Sequence, residues 1–490
     1  MMKKRIDKIE IFCKNPIQAQ SNVFDFLLSN GKNTAFGKEH SFQKIENYTQ
    51  FSQNIPIKTY EEFSEFIERA REGEKNVLWP GKIKWFAKSS GTTNAQSKFI
   101  PITQESLEGC HFKGGKDMLS LYGNNFPFSD MYNGKGLMLG GTIKNSEKGN
   151  YKEGDLSAIL LDEFPFWVNY HRIPDIETAL MEEWEEKLER IAQQAVHANI
   201  TNLTGVPSWM LILLKRVLTI SGKSNVSEVW PNLELYMHGG VNFEPYKEQF
   251  KTLIPSKKMN YLEGYNASEG FIGIQDKNPS EGLLLMLDYG IFYEFIPMDS
   301  FRKGQQEAIP LKDVQLNIDY ALVISTNGGL WRYLIGDVIR FTTLSPFRIK
   351  IIGRTKSFLN AFGEELIVEN TDKALLAACK TCKASIKDYT VAPIFVNNNS
   401  GGHQWFIEFF KEPKDMELFK QELDNKLKAL NSDYAAKRTN NLILNSPEIT
   451  IIQNNEFYTW LKKNNRLGGQ YKIPRLCNDR KIAEEILSLL

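Results

Sequence analysis

Apolar positions along the chain recur with two periods, and the way the periods alternate predicts the architecture. Residues 6 to 30 carry Ile6, Ile9 and Phe12, then Val23, Phe24, Phe26, Leu27 and Leu28. The second group has the spacing of an amphipathic helix that ends at Gly31. Tyr60 to Arg71 repeats a helical pattern through Phe63, Phe66 and Ile67, and a Pro80-Gly81 turn leads into a strand-like run from Ile83 to Ala87. Residues 176 to 200 keep apolar side chains at helical spacing among charges, and Trp209 to Leu218 does the same after Pro207. Between them lie strand-like runs at Ala158 to Leu161, Leu233 to Met237, Leu283 to Leu287, Phe292 to Ile296 and Ala321 to Thr326. Helices alternating with strands over such a length predict an α/β architecture.

Beyond about residue 342 the units become shorter. Strands are expected at Arg348 to Ile352, Tyr389 to Val396 and Gln404 to Phe410, and helices at Glu369 to Ala378, Asp415 to Leu430 and Lys481 to Leu490. Asn397 to Asn399 with Ser400, Gly401 and Gly402 read as a turn between two strands. The expected division is therefore a large N-terminal domain, 1–342, and a small α+β domain, 343–490.

Composition narrows the function classes. The 490 residues include 60 Lys+Arg and 59 Asp+Glu, a formal charge of +1. No global basic field marks a nucleic acid or an anionic membrane as partner. With 42% hydrophobic and 24% charged residues the chain can bury a large core. The start, Met1 to Cys13, is basic but lacks the continuous apolar run of a signal peptide. No apolar stretch approaches the roughly 20 residues of a membrane span. The five cysteines fit free thiols in a reducing cytoplasm, and Cys379 with Cys382 read as thiols on a helix rather than half of a zinc site.

Five segments carry candidate chemistry. In Trp85 to Thr103, a strand runs into Ser89, Ser90, Gly91, Thr92 and Thr93, and Lys98 precedes a second strand. Backbone N–H groups and hydroxyls in such a loop can wrap a phosphate while the lysine adds a point charge. The spacing is not that of a Walker loop, because Lys98 lies seven residues after the only glycine. In Tyr261 to Ile274, Tyr265 can stack on a base, Asn266, Ala267 and Ser268 let a ligand approach the backbone, and Glu269 offers a carboxylate suited to a magnesium ion that bridges phosphates. Upstream, His238-Gly239-Gly240 closes a strand where open α/β sheets bind ligands. His238 itself reads as structural. Asp337, after Gly336, can accept from both hydroxyls of a ribose. Arg354 follows Gly353, and Asn360 precedes Gly363-Glu364-Glu365. Finally Leu467 to Leu476 presents Lys472 after a Gly-Gly turn, suited to a mobile catalytic contact.

In this order the segments resemble the adenylate-forming superfamily, and in detail its plant acyl acid amido synthetases with their bacterial relatives, the Gretchen Hagen family. The matching residues are SSGTT…K at Ser89 to Lys98, YNASEG at Tyr265 to Gly270, YLIGDV at Tyr333 to Val338 and GQYKIPR at Gly469 to Arg475. One departure is Asn94-Ala95-Gln96, where the family often has a glycine. The resemblance implies a large α/β domain with a β-barrel-like subdomain and a mobile C-terminal domain, hinged near Thr342 to Arg348. It implies ATP and Mg2+ as cofactors, a carboxylic acid and an amino acid as substrates, and a cytoplasmic monomer or weak homodimer. In this likeness Ser89, Ser90, Gly91, Thr92, Thr93 and Lys98 hold phosphates and Glu269 the metal. Gly240, Tyr265, Asn266, Ala267 and Ser268 border the nucleotide, Asp337 takes the ribose, Arg354 supports ribose or phosphate, and Lys472 approaches the α-phosphate. Two alternatives stand beside amide formation: transfer of the acyl group to coenzyme A, and a catalytically silent nucleotide-binding protein. Phe164, Phe166, Trp167, Leu203, Val206 and Trp209 are candidates for the acyl pocket, or plain core.

Overall fold

The computed structural model describes residues 2–89, 98–146, 151–240, 243, 246–277, 281–355, 358–359, 361–362, 364, 366–397, 400–438, 444–453, 455–464, 466–467 and 472–490. The helical lead-in forms as two helices, Met2–Lys14 and Pro16–Gly31, the second begun by a proline at the position where a missing N–H costs nothing. Its last residue must be glycine for a packing reason: a Cβ on Gly31 would lie 2.5 Å from the Trp331 ring. Tyr60–Arg71 is a helix opened by a capping box, in which the Glu62 carboxylate accepts from the Thr59 N–H at 2.7 Å.

A twelve-stranded sheet organises the first compact unit, Met1–Val241 with Ser256–Ile351. One half is parallel, with Arg172–Ile173 at the edge, then Lys135–Met138, Ile200–Thr204, Leu235–Gly239 and Asn260–Ala267. The other half continues through Gly270–Ile274, Leu283–Leu285, Phe347–Arg354, Tyr333–Leu344, Asp319–Thr326, Ile291–Pro297 and Ile309–Pro310. Its paired neighbours run antiparallel. Four strand spacings separate Asn260–Ala267 from Tyr333–Leu344, about 19 Å in a flat sheet. Tyr265 nevertheless hydrogen-bonds Asp337, so this half curls strongly. A four-stranded sheet beside it holds Lys98–Ile102, Trp85–Ser89, Lys152–Gly154 and Ile143–Asn145 in that order.

The run Ala158 to Leu161, expected as a strand, lies instead in the helix Leu156–Asp162, with Leu156, Ala158, Ile159 and Leu161 buried. A short apolar run without alternation has no period of its own, so tertiary packing decides its state.

The second unit contains Ile352–Leu490 and also Asn242–Pro255. Helices Val368–Cys382 and Met416–Leu430 share a core with a three-stranded sheet made of Ser385–Asn397, Ser400–Lys411 and Glu448–Ile452. The first two strands pair as a hairpin with Asn397 opposite Ser400, where the asparagine run predicts a turn. Residue 342, the expected domain limit, lies within the strand Tyr333–Leu344, and the units part between Ile351 and Ile352. The helix Lys247–Leu253 belongs to the second unit, with the Gln249 amide donating to the Ile386 carbonyl at 2.8 Å. All five cysteines are free, and Cys379 and Cys382 lie on the helix where the spacing puts them.

Candidate active site

The carboxyl ends of two parallel strands supply the floor of the site. Leu235–Gly239 pairs with Asn260–Ala267, His238 opposite Glu263 and Gly239 opposite Gly264. A Cβ on Gly239 would lie 2.2 Å from the Gly264 carbonyl oxygen, so only glycine allows this approach. Gly240 follows with φ +79°, a left-handed conformation that glycine adopts freely and that turns the chain out of the sheet. His238 is buried, and burial pushes its pKa down to about 3, which keeps the imidazole neutral.

Asn260–Ala267 reverses through Ser268 and Glu269 into Gly270–Ile274, with Ala267 opposite Gly270. The YNASEG segment is thus a hairpin tip. Glu269 is half-buried at its end and Asn266 is exposed. The buried Tyr265 donates its hydroxyl hydrogen to the Asp337 carboxylate on Tyr333–Leu344, which joins two segments 72 residues apart. That bond makes Tyr265 a positioner of Asp337.

Beneath the hairpin runs a continuous helical segment, Gln104–Ser106, a π-helical turn Leu107–Phe112, and Lys113–Asn125. Thr103 caps it, accepting from the Ser106 N–H at 3.0 Å and donating to the Asn327 carbonyl at 2.6 Å. The Cys110 thiol accepts from the Phe271 N–H at 3.1 Å, and burial pushes its pKa up to about 12. His111 Nδ1 lies 2.9 Å from Asn266 Oδ1. The amide oxygen can only accept, so Nδ1 carries the hydrogen. Burial holds the His111 pKa at about 4 against the gain from Asn266, and Nε2 has no partner among the described residues. The Ser268 hydroxyl is also buried without a partner among the described residues.

On the neighbouring sheet Ser89 stands directly opposite Lys98, so both ends of the phosphate-loop segment are held at one rung. Ser90, Gly91, Thr92 and Thr93 lie outside the described residues. The Lys98 ammonium sits 5.5 Å from the Tyr60 ring centre, and the Tyr60 hydroxyl accepts from the Phe99 N–H at 2.8 Å. Lys88 and Arg71 flank this pair and share Glu153, each at 3.3 Å. The setting is cationic and partly compensated, as an anion site requires.

Arg354 and Lys472 belong to the second unit. Arg354 is half-buried at the end of Phe347–Arg354. Lys472 precedes an anchored stretch rather than a wholly free loop. Val391 donates to the Arg475 carbonyl at 3.0 Å, Cys477 donates to the Val391 carbonyl at 2.9 Å, and the Thr390 hydroxyl donates to the Pro474 carbonyl at 2.6 Å. The buried Arg475 pairs with Asp388 and donates to the Tyr246 hydroxyl at 3.0 Å. Lys472 therefore stands three residues from a fixed point.

Among the acyl-pocket candidates, Leu203 and Trp209 are buried, Phe164 stacks on Phe112 with ring centres 5.2 Å apart, and Phe166 and Trp167 are exposed. A cavity of about 700 Å3 bordered by Tyr132, His171 and His197 touches none of the motif residues. His111 carries no periodic or motif signal in the sequence, and its place depends on a long-range contact. A lone histidine beside Cys110 is the only cue.

The parallel floor, hairpin and curled antiparallel half define an adenylate-forming fold. A solved structure of the AtGH3.15 acyl acid amido synthetase in complex with 2,4-DB superposes with a TM-score of 0.82 at 18% identity, covering 100% of this chain and 96% of that one. A 2-hydroxyisobutyryl-CoA ligase in its postadenylation state superposes with a TM-score of 0.63 at 10% identity, covering 96% and 91%. The chain belongs to the GH3 family: its N-terminal domain matches residues 5–259, its central domain 284–354 and its C-terminal domain 369–481. Relatives include the indole-3-acetic acid-amido synthetase GH3.4 of Arabidopsis thaliana, 22% identical over 96% of this chain and 91% of the relative. The jasmonoyl–L-amino acid synthetase JAR6 of Nicotiana attenuata is 22% identical over 96% and 93%.

Proposed function

We propose that the protein is an ATP-dependent acyl acid amido synthetase. A carboxylate oxygen of the acid attacks the α-phosphorus of ATP, giving an acyl-adenylate and pyrophosphate. The amine of an amino acid then attacks the acyl carbonyl, AMP leaves, and the amine loses its proton as the amide forms. Neither step needs a covalent enzyme nucleophile, so the protein's work is positioning and charge stabilisation. The observation that carries the reading is the Tyr265 to Asp337 hydrogen bond, because it brings the YNASEG hairpin and the GDV strand to one point.

Ser89, Ser90, Gly91, Thr92, Thr93 and Lys98 hold the phosphates. Gly240, Asn266, Ala267 and Ser268 border the adenosine, and Asp337, oriented by Tyr265, binds the ribose. Arg354 and Lys472 supply further positive charge, Lys472 at the α-phosphate. Glu269 is a single half-buried carboxylate, which suits a Mg2+ ion that takes its other ligands from phosphate and water. When bound, that ion neutralises charge on the phosphates. Five free cysteines support a reducing, cytoplasmic setting.

Transfer to coenzyme A is the second reading, since a CoA ligase shares the fold. The named activity of the full-length relatives supports the amide. Pyrophosphate release over a panel of aryl and aliphatic acids, with amino acids or coenzyme A as acceptors and mass detection of products, separates them. Amide products support the proposal; thioesters alone overturn it.

A further inference from the structure

The π-helical turn Leu107–Phe112 places one polar side chain where no group among the described residues completes its bonding. His111 is only 2% exposed, lies below the exposed Asn266, and is tied to it through Nδ1 at 2.9 Å. That tie fixes the tautomer: Nδ1 donates, so Nε2 holds a lone pair, and among the described residues it has no partner. A buried acceptor left open is costly, and in native proteins such a group calls for an explanation such as a ligand or a water. π-Helical turns themselves recur at functional sites, where the extra residue re-aims side chains. Two positions along the hairpin from Asn266, Ser268 carries a buried hydroxyl that also has no partner among the described residues.

We propose that His111 is a specificity-determining residue of the acyl site, its Nε2 accepting a hydrogen bond from a hydroxyl or N–H group on the carboxylic acid substrate. The proposal rests on the amido synthetase reading and names the class of acid: one with a hydrogen-bond donor besides its carboxylate. Of the other ligands the adenosine also carries donors, and the acid is assigned instead because Phe112, next to His111 in the turn, stacks on Phe164, one of the acyl-pocket candidates. Phosphates and the substrate carboxylate offer only acceptors, which a lone pair repels. The amino acid is zwitterionic, whereas the chain neighbours of His111 are apolar, Cys110 in the buried core and Phe112 packed against it. A neutral imidazole with its pKa at about 4 is also too weak a base to take the proton of an attacking ammonium. Asn266 acts through His111, as its positioning partner.

The test is acid-dependent ATP–pyrophosphate exchange with matched pairs of acids, each differing by one donor. The probes are hydroxybenzoates and hydroxyphenylacetates with their deoxy and O-methyl forms, 2- and 3-hydroxy aliphatic acids with their deoxy forms, and indole-3-acetate with its N-methyl form. In the wild type the best donor-bearing acid should exceed its donor-free partner by about tenfold or more in kcat/KM, the size expected when a site built for a hydrogen bond loses its partner. His111→Phe should bring the two within about threefold, mainly by raising KM for the donor-bearing acid, and His111→Gln, which keeps an acceptor, should restore part of the preference. Equal use of both members of every pair by the wild type overturns the proposal and leaves the synthetase reading standing, a result that does not depend on any variant folding. A preference that survives in His111→Phe also overturns it, and assigns Nε2 to a buried water. No exchange with any acid overturns the synthetase reading, and the proposal with it.

Discussion

Two polar clusters in the first unit differ in how completely their buried groups are bonded. In one, the fully buried Glu294 receives Arg332 Nε at 3.0 and 3.1 Å and the Tyr48 hydroxyl at 3.0 Å. Arg332 Nη1 completes its bonding on the carbonyls of Ser52 and Ile55, at 2.8 and 2.6 Å. In the other, Asn266, His111 and Ser268 leave a ring nitrogen and a hydroxyl without partners among the described residues. The first cluster has the chemistry of a clamp, since every strong donor and acceptor is satisfied within the chain. The second is incomplete by the same standard, and it lies at the hairpin where the adenylate motifs converge. Saturation marks structure here, and on the proposed reading the open valence marks a ligand's place.

Substitutions in the two clusters should therefore separate stability from function. The largest effect is expected for Arg332→Met, which strands the Glu294 carboxylate in the core and should lower stability by about 3–5 kcal/mol. Denaturant unfolding measures it, and a loss below about 1 kcal/mol would break the comparison. Lys472→Ala should leave the fold and ATP binding intact while slowing adenylation by roughly 100- to 1000-fold, the scale of losing one group that stabilises transition-state charge. Single-turnover pyrophosphate release reads this, and an unchanged rate removes the role.

A pH effect of about 3 kcal/mol comes next. His111 titrates near 4 in the folded protein against about 6.5 when unfolded, so the unfolded state binds more protons between those values. Its contribution is fully present above pH 6.5 and is lost as pH falls toward 4. His238 adds to the slope in the same window. Unfolding free energies from pH 7 to 4 should fall less steeply in His111→Gln than in the wild type; equal slopes would show His111 to be solvated. Asp337→Ala should weaken ATP binding by about 1.5–3 kcal/mol, the range for a hydrogen bond to a charged group, as read by calorimetry. The smallest effect, at most about 0.5 kcal/mol, is expected for breaking the exposed helical pair Arg190 and Glu186, which lies outside both clusters.

Much of this was legible in the chain before folding. The helix from Tyr60 to Arg71 carries its own cap and period, and the motif residues announce themselves because their chemistry sits in short contiguous runs such as Tyr265 to Gly270. What was hidden depends on contacts distant in sequence. Residues 158 to 161 are helical because of what they pack against. The helix Lys247–Leu253 joins the second unit through Gln249 and the backbone of Ile386, 137 residues away. His111 acquires meaning only from Asn266, 155 residues on. The curl that brings Tyr265 to Asp337 is likewise a property of the assembled sheet, not of either strand.

The central claim is that an acyl-adenylate formed here is captured by an amine. The direct measurement is a single reaction containing ATP, Mg2+, a mixture of acids, the twenty amino acids and coenzyme A, with products resolved by mass. The account predicts an N-acyl amino acid formed together with equal amounts of AMP and pyrophosphate; an acyl thioester as the sole acylated product, or ADP in place of AMP, would contradict it.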